Sequence, residues 1–399
     1  MLFWHSSPAQ SSQGAAATAA SGLDADISSL LEMLRSIRDP RKEQGRQHEL
    51  EYVLAVCVVA TLAGAKGYSE IARKARDMPP SLLAKLGAEW DWFESRYKCP
   101  SKGTIRIVLS GIDGNSMDEI TGRWLSAQAA RGEDGEWAIA VDGKVLRGAW
   151  TSENDAVTLF SAMIREEGIT IAQVRVPDGT NEITQAAALL DALPIPEGDP
   201  AIFTLDAAHT QEATAGAIRK RPEWHYVMNV KGNQPTLQRS VFDKVLPLLS
   251  GQPHDIMEDR SRGRIKRWSC WIADADGIDF PGASQAAIIL REVFEVSGDR
   301  VSKEIALMLT SQREGRMTAA DLNYHERSHW GIENKNHYVR DTVYREDHGQ
   351  AWAGSGPHVL AIIRNLAIGL IRLKGINAIK KTTEWIAGDR TRALRFMAT

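Results

Sequence analysis

The chain has 399 residues, of which 43% are hydrophobic, so it is long enough to bury a substantial core and to form two or three domains. Its formal net charge of −3 argues against a uniformly basic nucleic-acid-binding protein, so any contact with DNA must come from local basic patches. Its three cysteines are widely spaced and form no metal-binding pair, which is typical of free thiols in a reducing cytoplasm.

The first residues are rich in serine, alanine and glutamine, and this composition predicts a disordered tail over residues 1–24. No lysine or arginine precedes Arg35 and no apolar run follows the start, so we expect no secretory signal. The most apolar stretch, residues 52–65, is too short to span a bilayer. We therefore expect a cytoplasmic protein that does not associate with membranes.

Residues 25–128 show the apolar spacing of amphipathic helices. The predicted helices cover residues 23–37, 49–65, 69–77 and a segment that starts at Leu82. This helical domain either caps the core or recognises DNA ends, and Arg73, Lys74 and Arg76 give one short helix the positive charge that DNA requires.

From residue 137 the pattern changes to strands. Residues 137–142 form an unbroken apolar run that ends in Asp142, and residues 201–206 repeat the pattern with Asp206. The other elements predicted here are strands at 156–164, 169–176 and 224–230 and helices at 181–193 and 210–219. The predicted order of elements is βββαβαβ.

Three acidic residues far apart in sequence are candidates for one metal site: Asp142, Asp206 and Glu333. Glu333 lies in a predicted helix that starts with a capping-box pattern at Thr318 and Asp321. A carboxylate at the end of a buried strand needs a partner. For Asp142 the simplest partner is Lys144 or Arg147, and the alternative is a divalent cation. Two aspartates and a glutamate supply hard oxygen ligands without a full cage, which suits Mg²⁺ or Mn²⁺.

Residues 237–316 are predicted to be rich in β-structure. The expected strands cover residues 260–270, 286–296 and 305–310. Arg260, Arg262, Arg264 and Lys266 recur at every second position, so on a single strand they would share one face. Such a face is either a charged, solvated edge strand or a ribbon that contacts phosphates, with Arg264 and Trp268 as the leading DNA contacts.

The segment before Glu333 also contains a competing motif. His325, Glu326 and His329 match the HExxH pattern that binds zinc in metallopeptidases. Glu333 lies roughly 12 Å along the helix axis from His325, too far to complete the same tetrahedron. A zinc peptidase that recruits Glu346 as a distant third ligand is therefore an alternative function.

Several short motifs follow one another in a fixed order along the chain. They are Asp142-Gly-Lys-x-Leu-Arg-Gly148, Asn181-Glu182-Ile183, Asp206-Ala-x-His209-Thr210, Val230-Lys231-x-Asn233-Gln234-Pro235, Gly263-Arg264-Ile265, His329-Trp330-Gly331-Ile332-Glu333-Asn334 and Glu346-Asp347. This ordered set resembles the DDE transposases of bacterial insertion sequences, in the branch that contains the H-repeat-associated proteins. The resemblance extends from about residue 30 to about residue 379.

The resemblance implies an α/β protein with a ribonuclease H-like catalytic core, an N-terminal helical domain and a β-rich insertion before the last catalytic helix. The implied segments are the tail (1–24), the helical domain that either caps the core or binds DNA ends (25–128), the first part of the core (129–236), the insertion (237–316), and the second part of the core with the C-terminal helices (317–399). By motif position, Asp142, Asp206 and Glu333 are the implied catalytic and metal-binding triad for two Mg²⁺ or Mn²⁺ ions.

The implied function is a DNA transposase that cleaves and joins the ends of its own insertion element by two-metal phosphoryl transfer. Its implied partners are double-stranded DNA, as terminal inverted repeats and target, and a second copy of the chain in a homodimer on DNA. The candidate DNA-binding residues are Lys144, Arg147, Lys231, Asn233, Gln234, Arg262, Arg264, Lys266, Arg267, Trp268, Asn334, His337 and Arg340. A catalytically inactive DNA-binding remnant of such an element and a simple metal nuclease on the same fold are alternatives.

Overall fold

Helices are the main secondary structure of the described residues before residue 128. The computed structural model describes residues 22–44, 46–132, 135–149, 157–261, 263–349 and 351–398. Arg262 and nearly all of the predicted tail lie outside these ranges. The first helices and a small hairpin are α1 (Ser28–Arg35), α2 (Leu50–Leu62), α3 (Tyr68–Arg76), α4 (Pro80–Lys85), β1 (Trp90–Asp91), β2 (Arg96–Tyr97), α5 (Lys102–Gly111) and α6 (Gly114–Ser126).

The four predicted N-terminal helices are confirmed as α1 to α4, with shorter bounds for α1 and α2. Helix α2 is apolar in all directions, and every residue in it except Glu51 is buried, so it forms the centre of the helical module. The hairpin and helices α5 and α6 were not predicted. Helix α6 packs closely on the sheet, because a Cβ atom at Gly122 would overlap the carbonyl group of Ile171.

A large mixed sheet starts at residue 137. Its first elements are β3 (Trp137–Leu146), β4 (Val157–Ile164), β5 (Ile169–Val176), α7 (Ala186–Asp191), β6 (Ala201–Leu205), α8 (Glu212–Arg219), β7 (Trp224–Val230) and α9 (Pro235–Val245). Strands β3, β4 and β5 form an antiparallel meander, and β6 and β7 run parallel to β3. The strand order is β5-β4-β3-β6-β7, which confirms the predicted succession of strands and helices.

Asp142 lies inside β3 and not at its end. The strand continues to Leu146, because residues 143–146 pair with β4. Its parallel partner β6, however, stops pairing at Val141, opposite Leu205. Asp142 and Asp206 therefore both lie just beyond the parallel pairing of β3 and β6.

Four further antiparallel strands extend the same sheet. They are β8 (Asp255–Ser261), β9 (Arg264–Asp274), β10 (Gln285–Glu295) and β11 (Arg300–Thr310). Strand β11 pairs with β7, so the nine strands form one sheet in the order β5-β4-β3-β6-β7-β11-β10-β9-β8. The β-rich segment therefore adds strands to the edge beyond β7.

The prediction of a single cationic strand face at residues 260–266 was wrong. The chain reverses between β8 and β9, where Gly263 has a positive φ of 72°. Arg260 lies opposite Ile265, and Ser261 lies opposite Arg264. Opposed residues of an antiparallel pair share a face, so Arg264 and Lys266 lie on one face of the sheet and Arg260 on the other.

The chain ends in helices that cover both faces of the sheet. They are α10 (Ala319–His329), a π-helix (Glu333–His337), α11 (Tyr338–Thr342), α12 (Gly356–Arg372), α13 (Ile379–Gly388) and α14 (Leu394–Met397). Thr318 and Asp321 form the predicted capping box of α10. All residues of α12 are buried.

Alternation along the strands separates two apolar layers. Ile202 and Val227 pack with Leu322 of α10, whereas Phe203 and Tyr226, their neighbours in sequence, belong to the main core on the opposite face. That main core continues through the N-terminal and C-terminal helices. Within the described ranges, no helix combines the length and the apolar character needed to cross a membrane.

Candidate active site

An open cavity lies where β3 and β6 stop pairing, beside α10. Its lining includes all three predicted acidic residues, Asp142, Asp206 and Glu333, together with Lys231 and Glu326. The three acids are separated by more than sixty residues in sequence, and the sheet and the C-terminal helices bring them to one place. The cavity is therefore the candidate active site.

Asp142 is largely buried at this cavity. Burial raises the pKa of its carboxyl group to about 6; His337 opposes this shift, and the neighbouring carboxylates of Asp206 and Glu333 add to it. Lys144 is not its partner, because the Lys144 Nζ atom lies 2.7 Å from Asp341 Oδ2. Arg147 is exposed in the short helix after β3. Asp142 thus has the surroundings of a carboxylate that binds a cation.

Asp206 is oriented by the backbone that follows β6. Its Oδ1 atom accepts hydrogen bonds from the backbone N–H groups of Ala208 (3.1 Å) and His209 (3.3 Å). The side chain remains half exposed to the cavity. His209 is buried, stacks on Phe160 and lies 3.9 Å from the same oxygen. The cap therefore fixes the direction of Asp206 and leaves one oxygen for a ligand.

Glu333 begins a π-helical turn that ends at His337. The preceding Ile332 packs with Ala140 of β3 and Met163, which holds Glu333 close to Asp142. π-Helical turns of this kind occur frequently at functional sites. A hydrogen bond from His337 lowers the pKa of Glu333.

His337 joins the two carboxylates. Its Nδ1 atom lies 3.6 Å from Asp142 Oδ2 and 3.5 Å from Glu333 Oε2. One ligand atom from each of these three residues lies within 4.8 Å of the others. The ring is buried, and its Nε2 atom has no hydrogen-bond partner among the described residues. Two carboxylates and an imidazole at this spacing fit a divalent cation.

In a regular α-helix, Arg340 would lie on the same exposed face as Glu333, but here it does not. Its side chain is fully buried, with Nε at 2.8 Å and Nη2 at 2.7 Å from Glu346 Oε2. Arg364 binds the other oxygen of Glu346 at 2.6 Å. Although burial acts in the opposite direction, the two guanidinium groups lower the pKa of Glu346 to about 2. The charge of Arg340 is therefore neutralised inside the core, which corrects the prediction that it contacts DNA.

Two more predicted DNA contacts are buried. Trp268 is 5% exposed, and the Arg327 guanidinium lies over its ring at 4.4 Å. Lys144 is 7% exposed and paired with Asp341. Neither side chain is presented to a ligand, because tertiary partners from α10 and α11 cover them. Arg267 keeps part of its surface but pairs with Glu258 at 2.7 Å.

Other predicted contacts stand at the surface or shape the loops. Lys231 is exposed at the cavity rim, and Arg264 and Asn334 are exposed as well. Asn233 donates a hydrogen bond to the Ala207 carbonyl oxygen (2.7 Å), so its amide links two loops. The Gln234 amide donates a hydrogen bond to Gln211 Oε1 (2.8 Å), which also links two loops. Lys266 is partly buried on β9.

The competing HExxH motif has different surroundings. The Nδ1 atom of His325 lies 2.6 Å from a guanidinium nitrogen of the buried Arg165, and burial together with this charge lowers the pKa of His325 well below 6.5. His329 lies 3.2 Å from the Thr204 hydroxyl, and burial lowers its pKa to about 4. In the part of the chain that the structure describes, no third metal ligand converges with these two histidines.

Comparison with known families identifies the chain at two levels. The family described as Transposase DDE domain matches residues 133–370, and the family described as DDE_Tnp_1-associated matches residues 31–125. The chain belongs to the DDE transposase family, as its motifs predicted.

Its relatives place it in the branch of the H-repeat-associated transposases. The chain is 27% identical over 356 residues to "Putative transposase YncI" of Escherichia coli O157:H7, across 87% of this chain and 88% of that protein. It is 27% identical over 360 residues to "H repeat-associated putative transposase YhhI" of Escherichia coli strain K12, across 87% and 91%. A cryo-EM structure of the piggyBac transposase synaptic complex with hairpin DNA covers 93% of this chain and 81% of that one, with a TM-score of 0.43 and 10% identity, a likeness too low to support further argument.

Proposed function

We propose that the chain is an active DNA transposase that cleaves and joins DNA with divalent cations held by Asp142, Asp206 and Glu333. The observation that carries this proposal is the cavity at the ends of β3 and β6, which is lined by three acids from distant parts of a chain in the DDE family. A simple structural role for the acids has less support, because Lys144 binds Asp341 and not Asp142.

The proposed catalytic core is ribonuclease H-like. Its support is the strand order β5-β4-β3-β6-β7, in which only β4 runs against its neighbours. In this proposal, residues 25–128 form a domain that binds DNA ends, 129–236 and 317–399 form the core, and 237–316 form the insertion. The insertion pairs with the core through β7 and β11, so it would widen the surface available to DNA.

The donor set of the cavity fits the metal that the family implies. Burial and nearby negative charge raise the pKa of Asp142, and a cation in this position would relieve both the desolvation and the repulsion. His337 adds a nitrogen donor to the carboxylates of Asp142 and Glu333. A mixed oxygen and nitrogen set admits Mn²⁺ as readily as Mg²⁺. When two such ions are bound, they supply an activated hydroxyl nucleophile and stabilise the leaving oxygen.

The side chains around the cavity would orient the DNA. Lys231, exposed at the rim, provides positive charge for the phosphate next to the cleaved bond. The Asp206 cap keeps one carboxylate oxygen directed into the cavity, and the amides of Asn233 and Gln234 hold the neighbouring loops in place. Phosphoryl transfer depends mainly on such positioning and on charge stabilisation. Two DNA ends would require two copies of the chain, so we propose a homodimer on DNA.

The test uses the purified chain with duplex DNA from both flanks of its coding region and Mg²⁺ or Mn²⁺. We expect metal-dependent cleavage at the ends and covalent joining of the new 3′ ends to a second duplex. Asp142→Ala, Asp206→Ala and Glu333→Ala should each lose both reactions, whereas Glu384→Ala, which removes an exposed carboxylate on α13, should retain them. Cleavage by the three variants at the parent rate would refute the site.

The same experiment separates the alternatives. A catalytically inactive remnant would shift the mobility of the DNA without cutting it under any metal condition. A simple metal nuclease would cut but never join a 3′ end to new DNA. Joined products that disappear together with cleavage in Asp142→Ala would support the transposase over both.

A further inference from the structure

Two large aromatic side chains project from the hairpin of β1 and β2. Trp92 is 85% exposed and Phe93 is completely exposed. Burying an aromatic side chain of this size is favourable, and here that contribution is not used within the chain. Large side chains exposed this fully at one loop tip mark a binding surface.

The hairpin holds these side chains outward. The Asp91 carboxylate accepts hydrogen bonds from the backbone N–H groups of Phe93 (3.0 Å) and Glu94 (3.1 Å), which closes the turn. The Trp90 ring meets Tyr97 edge to face at 4.9 Å and Trp92 at 6.4 Å. The tip is therefore ordered by its own contacts before any partner binds.

The base of the hairpin is attached to the helical module. The hydroxyl group of Tyr52, on the buried helix α2, donates a hydrogen bond to the Lys98 carbonyl oxygen (2.9 Å). The Cys99 thiol donates to the Ala75 carbonyl oxygen in the last turn of α3 (3.7 Å). The hairpin is therefore held in place at both its turn and its base.

The surface around the hairpin is basic, although the chain as a whole is not. Residues 66–106 contain nine lysine and arginine residues against five acidic ones, a net charge of +4, whereas the whole chain carries −3. Two acids of the hairpin region are paired locally, Glu89 with Lys98 at 3.1 Å and Glu94 with Arg96 at 3.5 Å. The exposed cations that remain lie on the adjoining helices: Arg73 and Arg76 on α3, and Lys102 and Arg106 on α5.

We propose that the hairpin tip stacks Trp92 and Phe93 against unstacked bases of the DNA that the proposed transposase binds, while α3 and α5 contact the adjoining phosphates. This inference rests on the proposed function, since it assigns a surface to the same DNA. Base stacking on an aromatic ring contributes about 1–3 kcal/mol per base and tolerates any sequence, and apolar wedges between base steps open the stack. A protein partner is the weaker choice, because the basic surroundings complement phosphate groups.

The test detects unstacked bases directly. The full chain carrying Asp142→Ala, which prevents cleavage, is bound to duplex DNA from the flanks of the coding region, and potassium permanganate is used to oxidise unstacked thymines. We expect permanganate-sensitive thymines at the bound end. Adding Trp92→Ala should remove this sensitivity and weaken binding roughly 10- to 100-fold, which corresponds to the loss of stacking on one or more bases. Trp92→Phe should restore both, because it keeps an aromatic face.

The matched control is Trp385→Ala on α13, which removes another exposed tryptophan and should change neither the affinity nor the permanganate pattern. The proposal is overturned if Trp92→Ala and Phe93→Ala leave both readouts unchanged. If Trp92→Ala and Phe93→Ala do not change affinity or permanganate reactivity, while Asp142→Ala in the otherwise native chain abolishes cleavage, then the hairpin proposal fails and the proposed function stands. A dimer that dissociates in Trp92→Ala without a change in permanganate reactivity would assign the tip to contacts between copies and also overturn it.

Discussion

The segment from His325 to His337 contains two glutamate–histidine groups that the structure treats in opposite ways. Near its start, His325 lies against the Arg165 guanidinium, and the pKa values of His325 and His329 are lowered by burial. Near its end, His337 lies between the carboxylates of Asp142 and Glu333. Both groups place a glutamate within four residues of a histidine, and the charges that surround the two groups differ.

The comparison shows what a short motif lacks. A histidine binds a metal when its neighbours are anionic and leave room for a cation, whereas a guanidinium group next to a histidine repels a cation from that place. The HExxH pattern specifies the helix face but not the strands that pack against it. Here β3 supplies an aspartate to one group, and the loop after β4 supplies Arg165 to the other.

The largest expected effect separates the two glutamates. Glu333→Ala should reduce metal-dependent DNA cleavage roughly 1,000-fold or more, a loss of about 4 kcal/mol, because it removes a proposed metal ligand. Glu326→Ala, the same substitution in the HExxH group, should retain most of the activity. Initial cleavage rates at saturating Mn²⁺ are the measurement. The reverse order of effects would make the first group the functional one.

A second prediction extends the comparison to Arg340, whose charge is neutralised by Glu346. Arg340→Ala should lower the free energy of unfolding by about 3 kcal/mol, at the low end for a broken buried pair because Glu346 retains Arg364. Urea denaturation measures this value. Arg147→Ala, at an exposed position, is the control and should change stability little. Normal stability combined with lost DNA binding in Arg340→Ala would restore the original interpretation of a DNA contact.

The third prediction concerns how the free energy of unfolding falls at low pH because of His329, in the HExxH group. The pKa of His329 is about 4 in the folded chain, below its ordinary 6.5, so the unfolded chain binds this proton first as the pH falls. The contribution of neutral His329 to the free energy of unfolding is therefore fully present above about pH 6.5. It is smaller below that pH, by about 2 kcal/mol at about pH 5. His329→Gln should flatten that part of the profile of unfolding free energy against pH. An unchanged slope would show that the pKa of His329 is the same in the folded and the unfolded chain, and it would contradict the prediction.

The smallest expected effect concerns His337. His337→Ala should weaken Mn²⁺ binding about tenfold and Mg²⁺ binding less, because an imidazole is a better donor for Mn²⁺. Titration of free Mn²⁺ by electron paramagnetic resonance measures the affinity without any DNA. His325→Ala is the matched substitution in the other group and should leave the affinity unchanged. Equal losses in the two variants would contradict the distinction between them.

Several features were predictable because they depend on neighbouring residues in the chain. Unbroken apolar runs marked the strands that carry Asp142 and Asp206, the spacing of apolar residues marked the helices, and the Thr318–Asp321 box marked the start of α10. The ordered motifs also indicated the family. In each case the signal and the structure it forms lie within a few residues of each other.

Other features depended on contacts between distant segments. The alternating cations at residues 260–266 looked like one strand face, but the chain turns at Gly263, and pairing with Ser261 and Arg260 reverses the faces. Arg340 had the position of a DNA contact, yet Glu346 lies against it in the core.

Local sequence determined many of the strands and helices of this chain, although not the hairpin, α5 or α6, and it marked Asp142 and Asp206 in or next to strands. Only the tertiary structure decided which charges meet: His337 with two carboxylates, His325 with Arg165, and Arg340 with Glu346. The physical reason is that a side chain's charge and pKa follow from the groups within a few ångströms of it, and those groups come from parts of the chain that no local pattern connects.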